Sequence, residues 1–155
     1  MNRRSWLFGA LAGLVGVGAI AGATTTEQTL VVTDTTGTDL LTVPVSTGTE
    51  LVVAYTHSVE RTLVRDIYIV ENGGFIMTRM EFSSFGAGLP AQADVTVEDG
   101  RYVYEPPEQQ HAYLRVGTGF VADHDLIVDG DRYDLTEMAD GNTVELRIAQ
   151  RRSLL

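Results

Sequence analysis

The chain has 155 residues, enough for one domain around a single buried core. Its 11 basic residues, every one an arginine, stand against 21 acidic ones for a net charge of −10. That balance excludes the basic stripe with which a nucleic-acid binder displaces counterions, and it suits a halophilic setting in which salt screens self-repulsion. The absence of cysteine excludes disulfides, thiolate metal sites, a cysteine nucleophile and acylation of an amino-terminal cysteine.

The chain opens with Met1-Asn2-Arg3-Arg4, an apolar run over residues 6–23 and the small-residue pattern Ala21-Gly22-Ala23. This is the layout of a secretory signal peptide. Arg3-Arg4-Ser5-Trp6-Leu7 resembles a twin-arginine signal, and the run is also just long enough to serve as an amino-terminal membrane anchor. Either outcome puts the remainder outside the cytoplasm, secreted or held at the cell surface. Without residues 1–23 the remaining 9 arginines against 21 acids give −12. Residues 24–28 read as a polar stalk and residues 29–150 as a single β domain.

Within that domain no window keeps helical spacing for long, and alternation bounded by turn residues dominates. Strands are expected at 30–32 and 40–45 around Gly37, and at 50–55, the most apolar and therefore central one. Three hairpins follow. Residues 67–70 pair with 75–77 across Asn72-Gly73, 94–97 with 102–104 across Asp99-Gly100, and 126–128 with 133–135 across Asp129-Gly130. Asn-Gly and Asp-Gly supply the positive φ that tight hairpins demand. Residues 143–148 alternate strictly, and Pro106-Pro107 stiffens one loop. The expectation is an all-β fold, an antiparallel β-sandwich or partly closed barrel built from consecutive hairpins.

Chemistry-bearing residues gather at the end of the central strand, where His57, Ser58, Glu60 and Arg61 fall within five positions. On a continued strand His57 and Arg61 would face one way and Ser58 and Glu60 the other, so they share a surface only if the strand ends or bulges before Val59. In the plainest reading His57 donates to a backbone carbonyl, and Glu60 pairs with Arg61, Arg65 or Arg79. The second candidate is Ser83-Ser84-Phe85-Gly86-Ala87-Gly88-Leu89-Pro90. It fits G-x-G-x-x-A in letters, but Pro90 in a β context leaves no helix start to cradle a pyrophosphate. What remains is a loop whose glycines can turn amides toward a small anion, or a plain chain reversal. The expected ligand-contacting set is therefore His57, Ser58, Glu60, Arg61, Ser84, Gly86 and Gly88. A serine hydrolase could draw on Ser58, Ser83, Ser84, His57 and Asp66, but no G-x-S-x-G elbow is present. His57, His111 and His124 with Asp123 and Asp125 lack ligand-like spacing for a metal, and the acidic turns lack that of a calcium loop. No catalytic residue, metal or cofactor is assigned.

The pairing of Tyr55-Thr56-His57-Ser58-Val59-Glu60 with Phe85-Gly86-Ala87-Gly88-Leu89-Pro90, and the closing Gly130-Asp131-Arg132-Tyr133-Asp134-Leu135 before Val144-Glu145-Leu146-Arg147, resembles the DUF1850 family over residues 40–148. The resemblance implies a small extracytoplasmic protein acting beside TRAP transporters of the TAXI type. Where acids and an aromatic often follow H-S-V-E in that family, Leu63-Val64-Arg65-Asp66 leaves Asp66 as the one acid. The expected function is non-enzymatic: an exported accessory that binds a TRAP membrane or solute-binding subunit, or a small solute. The alternatives are a hydrolase using His57 as general base and a purely structural envelope protein.

Overall fold

The computed structural model describes residues 25–85, 89–90 and 94–153. In chain order they form β1 (Thr25–Thr33), β2 (Asp39–Val45), β3 (Glu50–Thr56), β4 (Leu63–Glu71), β5 (Gly74–Phe82), β6 (Val95–Glu98) and β7 (Arg101–Tyr104). There follow β8 (Gln110–His111), β9 (Tyr113–Gly117), β10 (Asp125–Val128), β11 (Asp131–Asp134), the short helix α1 (Leu135–Met138) and β12 (Thr143–Ser153). Two antiparallel sheets result. The smaller runs β2-β1-β12-β9; the larger runs β11-β10-β3-β4-β5-β7-β6, with β8 pairing the far end of β5. No closed barrel forms among the described residues, so of the two expected architectures the sandwich is the one realised.

The three predicted hairpin turns take the backbone their residues require. Asn72 and Gly73 have φ of 48° and 74°, Asp99 and Gly100 48° and 77°, and Asp129 and Gly130 48° and 91°. Two consecutive positive values give the turn whose twist matches that of the paired strands. Other boundaries moved. β1 begins at Thr25 and pairs with β12 from Thr25 opposite Ser153 onward, so most of the segment expected as a stalk is strand. Thr24 and the expected leader or anchor lie outside the described residues. Among the described residues no helix is long and apolar enough to cross a membrane.

The core lies between the sheets because alternation puts one apolar row of each strand inward. Leu30 and Val32 of β1, Leu114 of β9, and Val144 and Leu146 of β12 meet Leu51 and Val53 of β3, Val70 of β4, and Leu126 and Val128 of β10. Each wholly buried aliphatic among them contributes about 2 kcal/mol of transfer free energy. A second cluster of Val64, Phe82 and Leu89, flanked by Tyr55 and Tyr102, fills one end of the larger sheet. On that sheet's outer face Val52, Ala54 and Ile67 are also buried, with Ile127 against them. Both faces of β3 are thus covered, which is why it reads as an unbroken apolar run.

The ends of the sandwich differ. Thr56 at the end of β3 donates its backbone N–H to Ala122 O, in the loop after β9, at 2.7 Å. The opposite end carries the Thr25–Ser153 pair, the Gly48 N–H bond to Val70 O at 2.7 Å, and the β4–β5 turn, where Gly73 lies against the Gln150 side chain.

Candidate functional site

The predicted polar cluster sits at the first of these ends, on a turn and not on a strand. β3 stops at Thr56, and the His57 N–H donates to Thr62 O at 2.8 Å while the Arg61 N–H donates to His57 O at 2.9 Å. The question of alternating faces therefore lapses. His57 is buried at 8% exposure, and its Nδ1 accepts the backbone N–H groups of Val59 and Glu60 at 3.3 and 3.1 Å. Its Nδ1 thus closes the turn from inside. Ser58, Glu60 and Arg61 are exposed around it. Arg61 holds φ of 56°, a left-handed conformation uncommon for a long side chain.

Two of the distant segments do meet. Thr62 Oγ1 and Ser84 Oγ lie 3.0 Å apart, and Leu89 packs with Val64 and Phe82. Gly86 and Gly88 lie outside the described residues. Phe85, next to Ser84, stands 5.3 Å from the Phe82 ring and 4.5 Å from that of Tyr102. Exposed apolar side chains crowd this pole: Val59 and Leu63 flank the turn, Phe85 follows Ser84, and Phe120 and Val121 precede Ala122.

The arginines expected beside Glu60 go elsewhere. Arg65 and Arg101 reach Glu81 Oε2 at 3.1 and 3.2 Å, and Arg79 reaches its Oε1 at 2.6 Å. Glu81 is buried at 6% exposure, and among the described residues no ion pair involves Glu60. A carboxylate so placed is tolerable only because its lone pairs are shared among guanidinium groups.

A third cluster lies in a cleft of about 340 Å³ between the sheets, at the edge where β9 faces β3 and β4. β4 pairs Asp66 with Val53 and Tyr68 with Leu51, so Asp66 sits on the core side between Val64 and Tyr68, with Tyr55 one diagonal step away on β3. His124, just before β10, stacks on Tyr55 with ring centroids 4.9 Å apart. Its backbone is clamped, since its N–H bonds Thr136 Oγ1 at 2.8 Å and its carbonyl accepts from Leu135 N at 3.0 Å. Asp134 caps α1 by accepting the Glu137 N–H at 2.7 Å, and so anchors that clamp. Beside Asp66 the β4–β5 ladder carries a bulge between Ile67 and Tyr68, where Thr78 Oγ1 donates to Ile67 O at 3.2 Å. Bulges of this kind re-aim side chains next to sites.

The electrostatics of this cleft are unusual. Burial pushes the Asp66 pKa from 3.8 up to about 6. Burial first, and the Asp66 charge second, push Tyr55 up to about 12 and raise Tyr68 as well. Burial holds His124 below the ordinary imidazole value, against the opposing pull of Asp123 and Asp125. Asp66 Oδ1 and His124 Nδ1 are both buried without a hydrogen-bond partner, a state that buried polar atoms rarely keep without a reason. A larger groove of about 520 Å³ runs past Asp34, Arg115 and Glu145. Its charged groups are already engaged, Arg115 with Glu145 at 3.2 Å and Asp34 with the Thr36 and Thr38 amides.

Among the described residues no three side chains of metal-binding type are grouped. Against known proteins, the family model described as "Domain of unknown function (DUF1850)" matches residues 51–135, more than half of the chain, so the chain belongs to that family. No curated protein and no solved structure matches it.

Proposed function

Taking membership of DUF1850 as the premise, we propose that this protein is a non-catalytic extracytoplasmic accessory of a TRAP uptake system of the TAXI type. It docks on the solute-binding subunit through the pole that carries the His57 turn. The observation that carries the reading is the set of exposed apolar tips at that pole, Val59 at 71%, Phe120 at 67% and Val121 at 61% exposure. They are mounted on turns held by buried hydrogen bonds, so little conformational freedom is lost on binding. Ser58, Glu60 and Arg61 supply a polar rim, the composition expected of a docking patch. Arg61 keeps a left-handed backbone that glycine would adopt at lower cost, which suits a side chain retained for contact.

The polarity of the fold favours the solute-binding subunit over the membrane subunit. Thr25, which follows the expected leader, lies at the opposite end from the apolar tips. If residues 1–23 hold the protein at a bilayer, the docking pole points away from it. The His57 imidazole spends its Nδ1 on the turn, which disfavours the general-base alternative.

The test is association of the purified full chain with a TAXI-type solute-binding subunit from the same source, in native salt, by sedimentation or calorimetry. Binding is expected, and Val59→Glu or Phe120→Glu should weaken it at least about tenfold, since apolar anchors dominate such interfaces. No association, or association indifferent to both substitutions, refutes the reading.

A further inference from the structure

The cleft between the sheets is not used by the docking surface, and its chemistry is incomplete as it stands. From the geometry we infer that it is a binding site for a small organic cation, a protonated amine or a quaternary ammonium, held by Asp66 and boxed by Tyr55, Tyr68 and His124. Four observations carry this. Asp66 lines the cleft, and among the described residues its Oδ1 has no hydrogen-bond partner. The nearest cation lining the cleft, Arg115, is committed elsewhere: its Nε donates to Glu145 Oε2 at 3.2 Å, and its guanidinium lies 5.4 Å from the Tyr113 ring. No side chain lining the cleft is thus left to balance an ionised Asp66. Three rings line the same space, two of them stacked 4.9 Å apart, and aromatic faces attract cations through their quadrupole.

The fourth observation is His124, which lines the same cleft and whose Nδ1 likewise has no hydrogen-bond partner among the described residues. One carboxylate and one imidazole are too few donors for a metal ion, and an anion would meet the Asp66 charge. The volume of about 340 Å³ lies within the range of small-molecule sites. The inference stands apart from the docking proposal in the residues it uses, although the loop that carries Phe120 and Val121 runs on to His124.

Tetramethylammonium chloride, ethylammonium chloride and sodium acetate are to be titrated into the full chain at pH 7.5, with sodium chloride holding ionic strength constant. The readouts are calorimetry and the tyrosine ring resonances. At least one ammonium probe should bind with a Kd of about 10 mM or tighter and shift the Tyr55 and Tyr68 resonances, while acetate leaves them unmoved. Asp66→Asn should lower that affinity at least about tenfold, the typical effect of removing one charge from a desolvated contact. Val97→Thr, an exposed position outside the cleft lining, should retain tetramethylammonium binding within about threefold and so serves as the folded control. Acetate shifting the same rings, probes shifting only tyrosines outside the cleft, or Asp66→Asn binding as the parent does would each overturn the inference.

Discussion

Replacing Asp66 by asparagine should make the protein more stable at neutral pH, although it removes a buried polar contact point. The folded state raises the Asp66 pKa from 3.8 to about 6 by burial alone. The folded chain thus holds this proton more tightly than the unfolded chain does. Stability attributable to the group is complete below about pH 4 and declines as pH rises through 6. Once the carboxyl is ionised in both states, a shift of about two units corresponds to a cost of about 3 kcal/mol, an upper figure because part of the group still meets solvent. Asparagine occupies the same volume without the charge. Urea unfolding of both proteins should therefore give nearly equal stabilities at pH 4 and a gap of about 2–3 kcal/mol favouring Asp66→Asn at pH 7.5. Other carboxylates titrate in both chains and cancel in the difference. A gap that is absent at pH 7.5, reversed, or independent of pH would show that Asp66 is stabilised by a partner, and the argument from an unbalanced charge would fail. Stability gained where cation affinity is lost is the pattern of a residue kept for binding.

Three further outcomes test other parts of the structure. Glu81→Gln leaves Arg65, Arg79 and Arg101 crowded without their shared carboxylate; the loss should be about 1–3 kcal/mol in urea unfolding, limited because the arginines are partly solvated, and a neutral result would show that the cluster adds nothing to the fold. His57→Ala removes the acceptor for the Val59 and Glu60 amides; about 1–2 kcal/mol should be lost, with faster hydrogen exchange at those two amides, and unchanged exchange there would refute the closing role of the ring. Val59→Glu and Phe120→Glu, both on exposed tips, should leave thermal stability within about 0.5 kcal/mol of the parent; a larger loss would mean that these side chains are structural and not interfacial.

The hairpins were legible because Asn72-Gly73, Asp99-Gly100 and Asp129-Gly130 fix the backbone locally, whatever they later pack against. β9 escaped notice although Tyr113 and Val116 favour strands, because it is a short edge strand whose place in a sheet comes from β12 alone. α1 is too short for periodicity, though Asp134 followed by Glu137 was its signal. The His57 turn was visible as a knot of unlike side chains, but that the imidazole turns inward depends on the strand stopping at Thr56. Asp66 was the deeper omission. The strand was expected from residue 67, whereas β4 begins at Leu63 and puts Asp66 in line with Val64, Tyr68 and Val70. An acid in an inward-facing row was the available clue. That His124 would line the same cleft, stacked on Tyr55, depends on long-range register that no local pattern encodes.

The pairing of the first described strand with the last has a consequence for how this molecule comes into being. β1 is flanked on one side by β2, near in sequence, and on the other by β12, with Thr33 and Glu145 joined from 112 positions apart. Leu30 and Val32 cannot be sealed from water until Val144 and Leu146 arrive. A nascent chain would thus carry an open, sticky edge until β12 has emerged. Such a chain leans on whatever shields it in that interval, and its yield on overproduction should follow chaperone supply more closely than final stability.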